Sequence, residues 1–545
     1  MTAAPLLLLV IAWLPVLAGL IGSLGPAGSA DAWQQLWSTP GLWPAISLSL
    51  RTGVIASLLS LLLAHALLAA VQGTRGVGRL RAMALPLLAT PHLALAIGVT
   101  LVIAPSGLLV RVVSPWLTGF QQPPDWNTTQ DPWGIALIIG LVLKETPFLL
   151  IALTTALGQV PAERLMLQAR TLGYGPIKGW LVAVAPLLQR QILLPFAAVV
   201  VFGIGNVDVA IALGPTTPPP FAMLLWQWFV DPDLNLRPMA AAGSLLLAAL
   251  CSATLVALTI GARASSPLLR RWRESGQRRV EDAIVGRLMQ GTGAAFALLG
   301  LLAVAMLLLR STTGAWRFPA VLPTTLDFAG GSPLGAIASD AGLTTLALAL
   351  ASTSIAIVLC LAAAESLRDR PAQRTLLGAL LFLPLLLPQF SFLFGLQVLL
   401  AALHLDGSWT AVIWSHLLYV LPYAYGVIAA ARISLDPRLL DVARTLGAGP
   451  WRAFWTVTLP LLGRAVLWAA ALGFSVSVAV YLPTLFAGAG RFTTLATDAA
   501  ATISAGSLRS AALAAAAMAM LPLIALTVAL LAAKLLHRGR RGVSA

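Results

Sequence analysis

The stretch Ala169-Arg170-Thr171-Leu172-Gly173-Tyr174-Gly175-Pro176 returns 274 residues later as Ala443-Arg444-Thr445-Leu446-Gly447-Ala448-Gly449-Pro450, identical at seven of eight positions. The register holds beyond it: Pro186 and Pro460 each open a Pro-Leu-Leu triplet, and Arg190 and Arg464 follow at the same distance. Farther out, Trp133 answers Trp409 and Pro147 answers Pro422, with shifts of one or two residues. Self-similarity at a fixed long period marks a chain built from repeated units. The 545 residues therefore read as two copies of one unit.

What each copy contains follows from composition. Hydrophobic residues make up 59% of the chain and charged ones only 10%, against about a quarter charged in soluble domains. That excludes a soluble enzyme, a disordered scaffold and a disulfide-stapled secreted module. A bilayer-spanning helix needs about 20 mostly apolar residues. Runs of that kind fall near 5–25, 46–70, 83–104, 134–157, 191–213 and 240–262, and again near 292–310, 341–365, 376–403, 409–431, 465–487 and 510–535. Six runs per copy carry the first span onto the seventh with its direction kept, so the repeat is parallel rather than inverted. The predicted fold is an all-α membrane protein of twelve transmembrane helices in two parallel six-helix repeats. Residues 1–262 form the first half, 263–290 a basic linker with Arg270, Arg271, Arg273, Arg278 and Arg279, and 291–545 the second half. The first run reads as a kept anchor and not a secretory signal, since Met1–Pro5 carries no positive side chain.

Orientation follows from charge. One set of connections, including Arg75, Arg164, Arg170, Lys178, the linker arginines, Arg368, Arg432, Arg444, Arg464, Lys534, Arg538, Arg540 and Arg541, holds 26 basic residues against eight acidic ones. The rest of the chain holds eight basic and eleven acidic. The positive-inside rule puts the first set, and with it both termini, in the cytoplasm. The same asymmetry accounts for the net charge of +15 without a nucleic-acid partner, for which no motif is present. Cys251 and Cys360 sit inside apolar runs, and the five histidines (His65, His92, His404, His416, His537) show no metal-ligand spacing, so neither a disulfide nor a metal site is expected.

The repeated octapeptide lies in a cytoplasmic connection, where sequence is ordinarily variable. Its chemistry predicts a short helix, a break and a second helix. Asp436 can cap a helix opened by Pro437, Gly447 supplies the left-handed residue that ends it, and Gly449-Pro450 starts the next. Pro161, Gly173 and Gly175-Pro176 repeat the plan in the first copy. Gly and Pro alone would serve a mere turn. Small Ala169 and Ala443, with forked donors on Arg170 and Arg444, suit a docking surface better.

Charged groups within spans are costly and often functional. Lys144 and Glu145 stand just before Pro147; as neighbours they point about 100° apart, so both cannot face one partner. Either they assemble helices or they line a pathway. The fifth run carries Asn206 and Asp208, and its counterpart Ser475, Ser477 and Tyr481. Asp208 either favours a cation or sits at the outer interface. Outside, Phe221–Val230 is apolar but too short to span and holds Trp226 and Trp228, and the 105–133 loop is much longer than its counterpart near 405–409. Such an asymmetry suits an oriented dock or interfacial anchoring.

Asp441-Val442-Ala443, then Gly447, then Thr456-Val457-Thr458-Leu459-Pro460, resembles the Glu-Ala-Ala loop of permease subunits in binding-protein-dependent ABC importers of type I. The resemblance is tight over about thirty residues in each half and looser across the whole chain. It implies that each loop is a coupling helix seated on a cytoplasmic ABC ATPase. Ala169, Arg170, Leu172, Gly173 and Pro176, and Asp441, Ala443, Arg444, Leu446, Gly447 and Pro450, are then the docking residues. Leu167 stands where the first copy should carry the acid, with Glu163 on the same face as its possible substitute. The twelve-span fused form resembles permeases for ferric iron, thiamine and similar solutes. That implies a bacterial inner-membrane protein partnered by an ATPase, expected as a homodimer, and by a periplasmic solute-binding protein. No Walker A sequence is present, so the chain is expected to be no enzyme, to have no catalytic residue and to bind no cofactor, ATP being used by the partner. By the same resemblance Lys144, Glu145, Asn206, Asp208, Ser475, Ser477 and Tyr481 become candidates for the translocation path, and Asp208 tilts the solute toward cations. The alternative is a twelve-span proton- or ion-coupled transporter, which has no reason to duplicate a rigid cytoplasmic elbow.

Overall fold

The computed structural model describes residues 3–71, 76–276, 278, 282–328 and 331–536. Arg75, Arg279, Arg538, Arg540, Arg541 and His537 lie outside the described residues. Ten helices in each half carry the architecture. In the first they are α1 (Ala3–Ala27), α2 (Leu42–Val71), α3 (Gly76–Ala89), α4 (His92–Ile103), α5 (Ile135–Leu157), α6 (Ala162–Thr171), α7 (Ala185–Ile204), α8 (Ala210–Leu213), α9 (Phe221–Val230) and α10 (Leu236–Glu274). The second repeats the order as α11 (Asp282–Ser311), α12 (Asp340–Ser366), α13 (Pro371–Phe382), α14 (Phe390–Ala402), α15 (Trp409–Ser434), α16 (Arg438–Thr445), α17 (Leu459–Ala479), α18 (Leu482–Ala487), α19 (Leu495–Ser504) and α20 (Leu508–Leu536). Each helix of the first half thus answers the helix ten numbers later. No β-strand occurs among the described residues, only one bridge between Thr313 and Leu326.

Among the described residues eleven helices are long and apolar enough to cross a bilayer, and the pair Pro371–Leu386 and Phe390–Ala402, bent by 94°, makes up to twelve. The run at 376–403 is therefore a bent span, and the run at 83–104 gives way to a span over His92–Val113. Proline lacks the N–H that continues a helix and restrains the residue before it, so the chain breaks at Thr90-Pro91 and at Leu387-Pro388. The fifth and eleventh spans also differ from the runs at 191–213 and 465–487. Each begins earlier, at Pro176 or Pro450, and passes through a π-helical turn at Trp180–Val184 or Phe454–Thr458. Each then ends at Ile204 or Ala479, ahead of the short α8 or α18. Pro147 lies inside α5 without ending it. At the junction of the halves α10 runs on through Glu274 and α11 begins at Asp282, so much of 263–290 is helical.

The first helix of each half packs on the other half. α1 lies against α14, where Gly19 and Gly395 bring the backbones together so closely that a Cβ on either would collide with the other helix. α11 lies against α4 with Gly98 pressed on the Ala303 carbonyl. Small residues permit such approach in a membrane, where burial of apolar surface does little to drive helices together. Trp13 Nε1 donates to Leu380 O at 3.0 Å and Trp414 Nε1 to Ile11 O at 3.0 Å, tying α1 further to the second half.

Candidate functional site

The two loops fold into the same elbow. α6 ends in a Schellman turn: Tyr174 N–H donates to Ala169 O at 3.0 Å and Gly173 N–H to Arg170 O at 2.9 Å, with Gly173 at φ +81°. α16 ends identically, with Ala448 N–H to Ala443 O at 3.0 Å, Gly447 N–H to Arg444 O at 2.9 Å and Gly447 at φ +81°. Gly175 and Gly449 then cap short helices opened by Pro176 and Pro450. The second elbow starts at Arg438 rather than Pro437, and Asp436 Oδ1 accepts from Arg438 N–H at 2.9 Å. Ala169 and Ala443 are turned inward and buried, while Arg170, Arg444, Leu172 and Leu446 are exposed.

The elbows differ in what lies behind them. Beneath the first, Trp180 is fully buried and donates from Nε1 to His65 Nδ1 at 3.3 Å. Lys178 is buried with its Nζ 5.0 Å from the ring of Trp272, on the extension of α10 toward the linker. A Cβ on Gly173 would meet Arg278 Cδ at 3.4 Å, so the linker passes over this glycine. A Cβ on Gly447 would meet none of the described residues within 4 Å. The second elbow rests on a small cluster of its own, Leu440, Ala443 and Ala453, and leaves Trp451 74% exposed. Beside it Glu365 joins Arg432 at 3.0 Å and Arg368 at 3.4 Å, and Arg368 joins Asp369 at 2.8 Å. Arg368 holds the Asp369 carboxyl below the usual carboxylate range. Asp441 pairs with Arg444 at 3.5 Å, whereas Leu167 in the matching position is 63% exposed.

The candidates within the membrane separate into two groups. Lys144 and Glu145 go to different partners on either side of the α3–α4 break. Lys144 Nζ donates to the carbonyls of Leu87 at 3.2 Å, Leu88 at 2.7 Å and Thr90, which takes up its three N–H groups. Glu145 Oε1 lies 3.3 Å from His92 Nε2 in the first turn of α4. Together they clamp the break. Ser475 and Ser477 are also held by protein. Ser475 donates to Ala471 O at 2.7 Å, and Ser477 meets Ser352 at 3.1 Å and His416 Nδ1 at 2.7 Å, with His416 Nε2 2.9 Å from Thr484. Asn206 Oδ1 caps α8 through Val209 N–H at 2.8 Å, but its Nδ2 has no partner among the described residues. Asp208 is half-buried where the halves meet, within electrostatic reach of Tyr419 and Tyr481 of the second half, and the Tyr419 hydroxyl likewise lacks a partner there.

The family described as the binding-protein-dependent transport system inner membrane component matches residues 356–541. The inner membrane ABC transporter permease protein YnjC of Escherichia coli (strain K12) is 34% identical over 494 residues, 89% of this chain and 87% of the relative. The chain is an ABC transporter permease. The molybdenum transport system permease protein ModB of Azotobacter vinelandii is 31% identical over 161 residues, 27% of this chain and 68% of that protein. This permease is thus the multi-pass inner-membrane component of a binding-protein-dependent importer, which implies an ABC ATPase and a periplasmic binding protein as partners. These findings support the ATP-driven importer and not the ion-coupled alternative.

Several features of the permease escaped the sequence reading. His92 and Tyr419 were passed over because a lone histidine or tyrosine in an apolar run gives no pattern. The breaks did leave a signal, since Leu-Pro-Leu-Leu at 85–88 recurs at 383–386 just ahead of Pro91 and Pro388. A third repeat is legible only in three dimensions. Ser49 Oγ accepts from Phe221 N–H at 2.8 Å at the head of α9, and Thr345 Oγ1 accepts from Leu495 N–H at 2.9 Å at the head of α19.

Proposed function

We propose that this chain is the complete membrane passage of its importer, with both elbows in the cytoplasm gripped by an ATPase homodimer that binds and hydrolyses the ATP. On this reading the permease performs no chemistry and holds no cofactor; it converts motion at the elbows into alternating exposure of a path between its halves. Both termini lie on the elbow side. The observation that carries the reading is the elbow made twice with the same hydrogen bonds, each presenting an exposed leucine beside an arginine.

The state of the path supports it. In α7, from Ala185 to Ala198, only Leu188 and Ile192 are buried, and in α17, from Leu459 to Trp468, only Leu462. The others are partly or fully exposed, in α17 fully only at Arg464, and since successive residues point about 100° apart this partial exposure runs round both helices rather than along one face. From Val199 to Val201 and from Gly473 to Ser475 burial returns and continues into α8 and α18. This supports a passage packed less tightly at the elbow end than at the other. Where burial returns lie Asp208 and, buried and without a partner among the described residues, the Asn206 amide and the Tyr419 hydroxyl, donors that a small polar solute would meet only once the packing around them opens, and a carboxylate within a membrane is a functional group by default.

The test is copurification of the ATPase with the permease and with Leu446→Asp, a change at a side chain 81% exposed and so without cost to folding. Loss of the ATPase from a normally inserted variant is the expected outcome. Full retention, or uptake that survives ATP depletion and follows a proton gradient, would refute the reading.

A further inference from the structure

The closure opposite the elbows runs along two seams related by the repeat: α9 against α14 and α18, and α19 against α4 and α8. The first is aromatic. The ring of Phe229 on α9 stacks on Phe394 with centroids 4.8 Å apart and on Phe390 at 5.8 Å, and meets Phe486 edge-on at 5.8 Å. Phe390 and Phe486 meet edge-on at 6.0 Å. The second seam is aliphatic. Aligning Gly98 with Gly395, and applying the 274-residue register to α9 and α18, the four phenylalanines correspond to Ile503, Leu93, Ile97 and Ala212.

Phe229 is the only one of the four from the first half, one knob among three rings of the second. Stacked and edge-on ring pairs hold beyond their buried area, and a single knob leaves all three contacts at once. Its helix is short, bounded by Pro220 and the exposed turn at Asp231. α18, which carries Phe486, begins directly after Tyr481, which is within electrostatic reach of Asp208. The cluster therefore sits on one of the two seams between the binding-protein side and Asp208.

We propose that Phe229, seated among Phe390, Phe394 and Phe486, is the latch of the outer gate, and that solute enters only when this knob leaves its socket. The inference rests on the transport reading above, and it predicts that the aromatic seam parts during each cycle. Two experiments test it in a Cys251→Ala, Cys360→Ala background with the assembled transporter in vesicles. Phe229→Cys with Phe394→Cys, bridged by a short reducible thiol cross-linker, should lose uptake by more than about tenfold and recover it on reduction. Continued uptake with the seam bridged overturns the latch and makes the seam a fixed hinge. Phe229→Ala should speed labelling of Asp208→Cys by an impermeant thiol reagent from the binding-protein side about tenfold, with Phe229→Leu between it and the parent. Labelling as slow in Phe229→Ala as in the parent also overturns it. Labelling needs no ATPase, and copurification of the ATPase is scored separately, so failure of the latch with the ATPase still bound counts against the latch and not against the docking of the elbows.

Discussion

The two elbows share backbone, caps and glycines, yet one is clasped and the other, among the described residues, stands free. At four successive matching positions the first has Ile177 half-buried and Lys178, Gly179 and Trp180 buried, whereas the second has Trp451 and Arg452 exposed, Ala453 buried and Phe454 half-buried. The identical residues set the shape. The non-identical ones set how firmly the shape is fastened to the membrane domain. A partner gripping both would meet a fixed strut on one side and, on the other, an apolar lever with Leu446 81% and Trp451 74% exposed against Leu172 at 57%. The match of the family to residues 356–541 falls on the half with the free elbow.

The largest expected effect breaks this comparison if it fails. Leu446→Asp should reduce copurification of the ATPase about tenfold or more, as removal of a central apolar anchor does at interfaces. Leu172→Asp should reduce it only a few-fold, because the clasped elbow keeps its remaining surface in place. Equal losses would show that fastening behind the elbow has no bearing on the grip. Fastening itself is measured by truncation. Trp180→Ala removes a fully buried side chain and its bond to His65, which typically costs about 3–5 kcal/mol. Phe454→Ala, at a half-buried site, should cost about half as much or less. Thermal unfolding of the purified permease would rank the two, and an inverted order would mean that the second elbow is the anchored one.

The same contrast governs the broken spans. In the first half Lys144 and Glu145 clamp the break at Thr90-Pro91, whereas the residues aligned with them through Pro147 and Pro422 are Tyr419 and Val420. Lys144→Met leaves the carbonyls of Leu87, Leu88 and Thr90 without their donor, a loss of about 1–3 kcal/mol. Tyr419→Phe removes a hydroxyl that has no partner among the described residues and should leave stability within about 0.5 kcal/mol. If Tyr419→Phe nonetheless slows uptake, the hydroxyl serves the path and not the fold.

What the sequence made legible was local or periodic. Twelve apolar runs, the parallel repeat and both elbows could be read because each depends on neighbours in the chain: glycine after a helix, proline at its start, apolar residues over a span's length. The exchange of α1 and α11 could not, since it depends on Gly19 meeting Gly395 and Gly98 meeting Ala303, pairs hundreds of residues apart with no charge or spacing to mark them. Lys144 and Glu145 were visible as charges, but their partners are backbone carbonyls and a lone histidine, and carbonyls have no signature in a sequence. The breaks were missed for a different reason. A hydropathy window averages over Pro91 and Pro388 and reports one long run.

The smallest expected effect is the most pointed, because it concerns a position where the repeated helices disagree in charge. Asp441 pairs with Arg444 at 3.5 Å, both exposed, and such a pair contributes only about 0–1 kcal/mol to stability. Asp441→Ala should therefore leave unfolding unchanged while lowering ATP-driven uptake a few-fold, if the pair serves to present the arginine to a partner. Leu167→Ala should do neither. The reciprocal change sharpens the point: Leu167→Asp gives the first elbow an acid three residues before Arg170, the spacing that lets Asp441 reach Arg444. Its apolar surface there is already 63% exposed, so folding loses little. If charge presentation is what separates the elbows, Leu167→Asp recovers part of the uptake lost in Asp441→Ala. If fastening to Trp272 and the linker separates them instead, Leu167→Asp recovers nothing and Trp272→Ala shifts the balance between the elbows. Measuring ATP-driven uptake in Asp441→Ala combined with Leu167→Asp, and in Asp441→Ala combined with Trp272→Ala, decides which of the two differences the transporter uses.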